Sequence, residues 1–200
     1  SAHSIVFQSR PGTPELNCCS VNGPNGLGLI SQWGVLGGQN GLYLNYYGPG
    51  STEVQLEDDS LWSFVQTTDY PRNGTVELKV RPPQATALPI LFRIPEWSQE
   101  TKVSVNGVLV EDVVPGTYLK IERTWNPGDK VTLEFDLRLR ALRGDQHVQF
   151  NTSLLRGPVL LTFDQKYNTM DPTDVPELDL ASLVLDPLPA DDPILRDRPL

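Results

Sequence analysis

With 200 residues, the chain is long enough for one large β domain or two small ones with a substantial buried core. Its net charge of -9 and the lack of any Lys/Arg cluster argue against nucleic acid or an anionic membrane as a partner. No apolar run approaches the ~20 residues that span a bilayer, so we expect a soluble protein, either cytoplasmic or secreted.

The first predicted element is a short helix over residues 25–37. Leu29, Ile30, Trp33 and Leu36 would fall on one side of such a helix, which is typical of an amphipathic segment. Several glycines in the same stretch weaken its helical propensity. This is the single helix that the sequence predicts.

Beyond this helix, the sequence is dominated by alternation of apolar and polar residues, which indicates strands with one buried face. The clearest example is a single long strand predicted over residues 130–140. Asn106-Gly107 lies between two short apolar runs and predicts a two-residue hairpin turn. We therefore predict an all-β fold, an antiparallel β-sandwich region of one or two sandwiches. The predicted strands cover residues 42–47, 53–56, 61–66, 76–80, 88–94, 102–105, 108–110, 118–122, 130–140 and 159–163.

Three regions follow from these patterns. Residues 1–40 hold the helix and a Cys-Cys loop, residues 41–170 form the β-sandwich region, and residues 171–200 are an acidic, proline-rich C-terminal segment. Prolines are poorly tolerated in central strands, so the last region is expected to be extended. The chain begins at Ser1 without a leader, and we expect it to be part of a larger protein.

Most catalytic signatures are absent from the sequence, which contains no GxSxG, P-loop or HExxH motif. The two histidines, His3 and His147, have no evident catalytic partners and are interpreted as ordinary surface or hydrogen-bonding residues. Four tryptophans could form a platform that stacks on sugars, but their flanking residues favour packing in the core. They are Trp33, Trp62, Trp97 and Trp125.

The two cysteines are adjacent, at Cys18 and Cys19, and precede a turn rich in Gly, Pro and Asn. Such thiols could bind a soft metal, and a nearby helix N-terminus would favour the nucleophilic thiolate. A buried, inert pair or a strained vicinal disulfide is the alternative. Two cysteines alone cannot complete a tetrahedral zinc site, so further ligands would have to come from elsewhere.

Six segments in sequence order resemble the C-terminal part of the β-L-arabinofuranosidase-like glycosidases, glycoside hydrolase family 127 and its relatives. The resemblance covers roughly residues 17–164. The segments are NCCSVN at 17–22, GLYLNYY at 41–47, LFRIPEW at 91–97, VNG at 105–107, YLKIERTWNPGD at 118–129 and RGP at 156–158.

The resemblance implies that an N-terminal (α/α)6 barrel precedes the β-sandwich domains, with the predicted helix as its remnant. By this analogy, Cys18 is the nucleophile of a retaining mechanism and a zinc-bound thiolate, and Cys19 is a second zinc ligand. The remaining ligands and the acid-base glutamate would lie upstream. The implied partners are this helical barrel and a glycoside or oligosaccharide substrate.

A retaining glycosidase needs a nucleophile and a separate acid-base group, and this chain offers only the first. We therefore expect the isolated chain to be inactive, with zinc bound in the parent enzyme rather than by these residues alone. The alternative hypothesis is a non-catalytic β-sandwich that binds carbohydrate or another protein.

Overall fold

The computed structural model describes residues 18–149 and 151–162, together with residues 171, 179, 182 and 183. The chain divides into two compact units, Ser1–Asp136 and Leu137–Leu200. About half of the residues are in strands, and a single α-helix is described, so the all-β prediction is confirmed. The predicted C-terminal segment, residues 171–200, lies almost entirely outside the described residues.

Helix α1 spans Cys18–Trp33, so it begins seven residues before the predicted helix and ends four residues earlier. Its end is fixed by Asn45, whose backbone N–H donates to the Gly34 carbonyl at 2.9 Å. The Asn45 side-chain amide also donates to the Trp33 carbonyl at 2.8 Å. Because these bonds satisfy carbonyls at the helix end, the chain can leave the helix and enter a strand.

Thirteen strands follow among the described residues, and they form three sheets. In chain order they are β1 Val35–Gly38, β2 Gly41–Leu44, β3 Gly50–Gln55, β4 Leu61–Thr68, β5 Thr75–Arg81, β6 Thr86–Arg93, β7 Lys102–Val105, β8 Val108–Val110, β9 Tyr118–Trp125, β10 Asp129–Glu134, β11 Leu139–Arg143, β12 Thr152–Arg156 and β13 Val159–Leu161.

The first unit contains a four-stranded and a six-stranded sheet. The four-stranded sheet has the order β1-β2-β6-β9, in which β2 and β6 run parallel and the other pairs are antiparallel. The six-stranded sheet has the order β3-β4-β5-β10-β7-β8 and is antiparallel throughout. The fold is therefore a sandwich with one parallel pair.

Each of these two sheets buries one face, and the alternation of the sequence identifies that face correctly. Full burial of such side chains contributes roughly 1.5–3 kcal/mol each. The core tryptophans are Trp62 and Trp125, and the indole N–H of Trp125 donates to the Leu88 carbonyl at 2.9 Å. The other core residues include Leu42, Leu44, Phe64, Val76, Leu78, Val80, Ile90, Phe92, Val103, Leu119, Ile121, Val131 and Leu133.

The long strand predicted over residues 130–140 is wrong as a single element. Strand β10 ends at Glu134, and β11 begins at Leu139. The backbone N–H of Phe135 donates to the Gly74 carbonyl at 2.9 Å, and that of Asp136 donates to Ser98 Oγ at 2.8 Å. Because these two N–H groups bond to Gly74 and Ser98, they do not continue the hydrogen-bond ladder of β10, although the side chains still alternate between apolar and polar.

The second unit contains an antiparallel three-stranded meander, β11-β12-β13, with a short 3₁₀ helix at Gln146–Val148. Strand β12 was not predicted from the sequence. The guanidinium of Arg140 donates to the Gly157 carbonyl at 2.8 Å, at the turn between β12 and β13. The predicted strand over residues 159–163 is described only as far as Leu161, in β13.

The hairpin predicted at Asn106-Gly107 joins β7 to β8, and both residues have positive φ, 52° and 81°. The Asn106 side chain also links this turn to β10. Its amide donates to Asp129 Oδ1 at 2.8 Å, and its oxygen accepts from the Lys130 backbone N–H at 2.8 Å. One short polar residue therefore joins two neighbouring turns.

Within the ranges that the structure describes, no helix is both long and apolar enough to cross a membrane.

The parallel contact between β2 and β6 requires glycine at position 41. Gly41 has a φ of 125°, and a Cβ placed there would lie 2.1 Å from the Pro89 carbonyl oxygen. We predict that Gly41→Ala lowers the free energy of unfolding by at least about 2 kcal/mol, measured by urea titration with tryptophan fluorescence. Gly37→Ala, at an exposed β1 position with nothing within 4 Å of its added Cβ, should be nearly neutral. Equal effects of both substitutions would contradict this packing.

The buried carboxylate of Asp129 predicts a pH dependence of stability. Its burial raises the pKa. Hydrogen bonds from the Asn126 N–H and the Asn106 amide, together with the charge of Arg123, lower the pKa by more than burial raises it, so the net shift is downward. A pKa lower in the folded state stabilises the fold above the unfolded pKa, and this stability is lost as pH falls through the folded pKa.

We therefore predict that Asp129→Asn lowers the free energy of unfolding by about 1–3 kcal/mol near neutral pH. The difference from wild type should shrink between about pH 5 and about pH 2, as measured by urea unfolding. Asp112→Asn, on an exposed loop residue, is the matched control and should change neither quantity. A constant difference at every pH would rule out this role for Asp129.

Candidate functional site

The backbone of Cys18 and Cys19 lies in the first turn of helix α1, while their side chains lie outside the described residues. The predicted nucleophile and metal ligands therefore stay predictions. Adjacent thiols suit Zn²⁺ chemically, but they supply only two of the three or four protein ligands that a zinc site requires. Among the side chains that the structure describes, no group of three or more His, Cys, Asp and Glu could hold a metal.

The Cys pair and the sandwich lie at opposite ends of helix α1. Fifteen residues of α-helix rise by about 22 Å, so the start of the helix is far from Trp33 at its end. Apolar side chains between them are exposed, with Leu27 at 71% and Ile30 at 45%. A helix with such exposed side chains needs a partner to be stable, because a lone helix is marginal in water.

Leu36, just after the helix, adds a further exposed apolar side chain on the outer face of the four-stranded sheet. The strand register places Leu36, Tyr43, Leu91 and Lys120 in one row across that face. Leu36 is 42% exposed. Exposed apolar side chains that lie near one another mark surfaces for contact, so this part of the outer face is suited to contact with another domain.

An open cleft of about 380 Å³ lies where the helix meets this face. Asn45 connects two sides of this cleft. Its Oδ1 accepts a hydrogen bond from the Tyr118 hydroxyl at 2.5 Å, and its amide donates one to the Trp33 carbonyl. The ring of Tyr118 also meets that of Tyr43 edge-on, at 5.4 Å between centroids. The cleft is lined by Trp33, Leu36, Asn45, Tyr46, Arg93 and Tyr118, and we call it the Trp33 cleft.

Two tyrosines whose pKa values respond to the charge of Arg93 are not suited to proton transfer near neutral pH. Burial raises the pKa of Tyr47 far above its usual range, although the charge of Arg93 opposes this shift. The Tyr47 hydroxyl donates to the Arg93 carbonyl at 2.8 Å. Burial also raises the pKa of Tyr70. Both phenols therefore stay protonated, and the cleft offers contacts for binding or packing rather than an acid-base pair.

The four tryptophans do not form one platform. Trp62 and Trp125 are fully buried, as core packing predicts, and Trp97 packs against Phe135 with ring centroids 5.9 Å apart. Trp33 is 46% exposed in the cleft, so the expectation of core packing is wrong for it. Its neighbours there, among them Arg93 and Tyr118, were not singled out from the sequence. Both alternate with buried residues in β6 and β9, and this alternation is the feature of the sequence that could have identified them as exposed.

The adjacent carboxylates of Asp58 and Asp59 belong to a turn. Asp58 Oδ1 accepts from the Ser60 hydroxyl at 2.5 Å and from the Ser60 backbone N–H at 3.0 Å. These bonds lower the pKa of Asp58. The Asp59 carboxylate accepts from the Gln55 amide at 3.2 Å. Both carboxylates therefore stabilise local structure.

The β-sandwich body matches a described protein family. Residues 41–137 match the family model of the β-L-arabinofuranosidase, GH127 middle domain. This part of the chain is therefore a β-sandwich domain of glycoside hydrolases. More specifically, it is a GH127 middle domain, and the resemblance found in the sequence is confirmed.

Solved structures agree with this assignment. A GH127 β-L-arabinofuranosidase from Geobacillus stearothermophilus T6 is 28% identical, with a TM-score of 0.65 over 72% of this chain and 24% of its own. A glycoside hydrolase is 30% identical, with a TM-score of 0.66 over 73% of this chain and 25% of its own. A GH127 β-arabinofuranosidase is 29% identical, with a TM-score of 0.54 over 60% of this chain and 22% of its own.

The chain thus spans about a quarter of the length of the solved structures that it matches. No curated protein matches it in sequence.

The cleft geometry predicts a specific role for the Tyr118 hydroxyl. Because it fixes Asn45, which in turn bonds the end of helix α1, Tyr118→Phe should lower the free energy of unfolding by about 1 kcal/mol. Urea titration and the helical signal in far-UV circular dichroism would measure the effect. Tyr46→Phe removes an exposed hydroxyl from the same cleft and should have no effect. If the two variants behave alike, Asn45 is not held by Tyr118.

Proposed function

We propose that this chain is the middle β region of a retaining, arabinofuranosidase-like glycoside hydrolase, whose active site is completed by another domain of the same protein. The observation that carries the proposal is the match of residues 41–137 to the GH127 middle domain. The solved GH127 enzymes of similar fold support it, and each is about four times as long as the part matched here.

In this proposal Cys18 is the nucleophile. Its thiolate attacks the anomeric carbon of the sugar, the glycosidic C–O bond breaks, and a general acid from the other domain protonates the departing oxygen. Water, activated by the same group as a base, then releases the sugar from sulfur. A position in the first turn of helix α1 favours the thiolate, because the helix dipole stabilises negative charge there.

Zinc fits the donor chemistry of this end of the helix. Cys18 and Cys19 would supply two thiolate ligands, and the remaining ligands would come from outside residues 18–162. When bound, the metal would lower the pKa of the thiols and hold them in the deprotonated form.

The sandwich contributes by supporting helix α1. The helix runs directly into β1, and its end is bonded to Asn45 after β2. Ile30, Trp33 and Leu36 are exposed, and they present apolar surface from the second half of the helix to strand β1. We propose that this surface packs against a neighbouring helical domain and thereby fixes the position of the Cys pair.

A second candidate function is carbohydrate binding without catalysis. The Trp33 cleft favours it, since it exposes the aromatic rings of Trp33, Tyr46 and Tyr118 beside the guanidinium of Arg93. Aromatic faces and planar polar groups are the features by which proteins hold sugar rings. This cleft would bind a glycan at a distance from the Cys pair.

The two candidate functions differ in whether the longer protein that contains this chain hydrolyses a glycoside. We predict that the 200-residue chain does not hydrolyse p-nitrophenyl arabinofuranosides. The longer protein that contains it should hydrolyse them, and Cys18→Ala should reduce its kcat/KM by at least about a thousandfold, because the nucleophile is lost. Ser20→Ala, two residues further along the helix, is the matched control and should retain activity.

Mass spectrometry of the longer protein after reaction with an arabinofuranosyl inactivator should find the sugar on the peptide that contains Cys18. Turnover by the 200-residue chain, or full activity of the Cys18→Ala variant, would contradict the proposal. Inactivity of the longer protein, together with oligosaccharide binding that Trp33→Ala abolishes, would instead support the second candidate.

A further inference from the structure

Asn-Gly pairs lie at three turns of the first unit, at residues 40–41, 73–74 and 106–107. An asparagine that precedes glycine is chemically labile, because no Cβ shields the glycine nitrogen when it attacks the side-chain amide. Asparagine counts among the thermolabile residues of proteins. The surroundings of each pair therefore decide which of these asparagines reacts in the folded protein.

Asn106 is held by β10 at both ends of its side-chain amide. Its Nδ2 donates to Asp129 Oδ1, and its Oδ1 accepts from the Lys130 backbone N–H, each at 2.8 Å. Both bonds must break before Cγ can turn toward the Gly107 nitrogen. Two hydrogen bonds of ordinary strength slow such a step by about tenfold or more.

The pair at Asn40 is restrained through its glycine. Gly41 belongs to β2, where it pairs with Gly38, and an added Cβ would lie 2.1 Å from the Pro89 carbonyl oxygen. Cyclisation draws the glycine nitrogen toward the side chain and changes the torsion angles of the neighbouring backbone. Because Gly41 cannot shift without losing its contacts in the sheet, we expect Asn40 to react slowly.

The surroundings of Asn73 favour the reaction. Asn73 is exposed in the turn between β4 and β5, and its Oδ1 accepts from the Thr75 backbone N–H at 2.8 Å. This Asx-turn closes a small ring that contains both Cγ of Asn73 and the nitrogen of Gly74, so the two atoms that must join are held on the same side of the chain. The bond also polarises the side-chain carbonyl and makes Cγ more electrophilic. Within the residues that the structure describes, the Gly74 N–H donates to no acceptor.

The fold also requires the glycine that makes Asn73 labile. A Cβ at position 74 would lie 2.1 Å from the Phe135 carbonyl oxygen. The Gly74 carbonyl accepts from the Phe135 N–H at 2.9 Å, which is the bond that ends the ladder of β10. A larger residue at position 74 would therefore disturb the end of the six-stranded sheet.

We propose that Asn73 is a site of spontaneous modification in the folded protein, that it reacts faster than Asn40 and Asn106, and that its isoaspartyl product weakens the six-stranded sheet. The Gly74 nitrogen loses its proton and attacks Cγ. The new N–C bond forms, the bond between Cγ and Nδ2 breaks, and the amide group takes up a proton and leaves as ammonia. Water then opens the succinimide at either carbonyl and gives aspartate or isoaspartate. The proposal is independent of the proposed glycosidase function.

The two products differ in what they do to the turn. In isoaspartate the backbone runs through the former side chain and gains a methylene before Gly74, which has no space to move toward Phe135. The bonds at Thr75 and Phe135 then cannot both be kept. Aspartate at position 73 leaves the backbone unaltered, and its carboxylate can still accept from the Thr75 N–H.

Peptide mapping by mass spectrometry of the 200-residue chain, incubated at mildly alkaline pH, tests the proposal. In the folded protein, Asn73 should deamidate at least about tenfold faster than Asn106, and faster than Asn40. The rate at Asn73 should rise with pH, because the attacking nitrogen must lose its proton. In concentrated urea the hydrogen bonds of Asn106 are lost, so Asn106 and Asn73 should react at similar rates.

The isoaspartate form, separated from the fresh protein by anion exchange, should have a folding equilibrium constant at least about fivefold lower in urea titrations. Asn73→Asp carries the same charge on an unaltered backbone, so it is the matched control and should stay within about twofold of the fresh protein. Deamidation of Asn40 or Asn106 that is as fast as that of Asn73 in the folded chain, or an unreactive Asn73, overturns the proposal. An isoaspartate form as stable as the Asn73→Asp variant overturns it as well.

Discussion

The parallel pairing of β2 with β6 is the constraint on which the rest of the first unit depends. Strand β2 lies close to helix α1 in the sequence, whereas β6 follows three strands of the other sheet. Their contact is possible because Gly41 lacks the Cβ that would meet the Pro89 carbonyl. This pairing aligns Asn45 after β2 with Arg93 at the end of β6 and Tyr118 at the start of β9.

That alignment connects the fold to its proposed function. Asn45 bonds the end of helix α1 and the Tyr118 hydroxyl together, so the direction in which the helix leaves the sandwich is fixed by the sheet. The other end of the helix begins with the Cys pair. In the proposed function, the sandwich in this way sets the position of the Cys pair in a site that another domain completes.

Much of the fold could be predicted from the sequence because most strands of the first unit have one buried face. Alternation at Val76, Leu78 and Val80 identified β5 correctly, and Asn106-Gly107 identified a hairpin turn whose φ values only such residues adopt easily. The break after Glu134 was not predictable, because Phe135 continues the apolar alternation while its N–H bonds to a residue some sixty positions earlier.

The predicted end of the helix was wrong for the same reason, because a partner distant in the sequence determines where the element ends. Leu36 lies at helical spacing from Trp33, but pairing with β2 draws residues 35–38 into the sheet. For the candidate site, the residue types at Cys18 and Cys19 indicated the chemistry, while the geometry of a zinc site depends on ligands in other parts of the fold. The Trp33 cleft was missed because its residues come from four separate segments that only the sheet register brings together.

Hydrogen-deuterium exchange of the 200-residue chain and of the longer protein that contains it tests the central claim most directly. If another domain covers the apolar surface, amides of helix α1 and of strands β1 and β2 should exchange at least about tenfold more slowly in the longer protein. Amides of the six-stranded sheet should be unchanged. Equal exchange of the helix in both proteins would contradict the claim that this sandwich supports a site completed by a neighbouring domain.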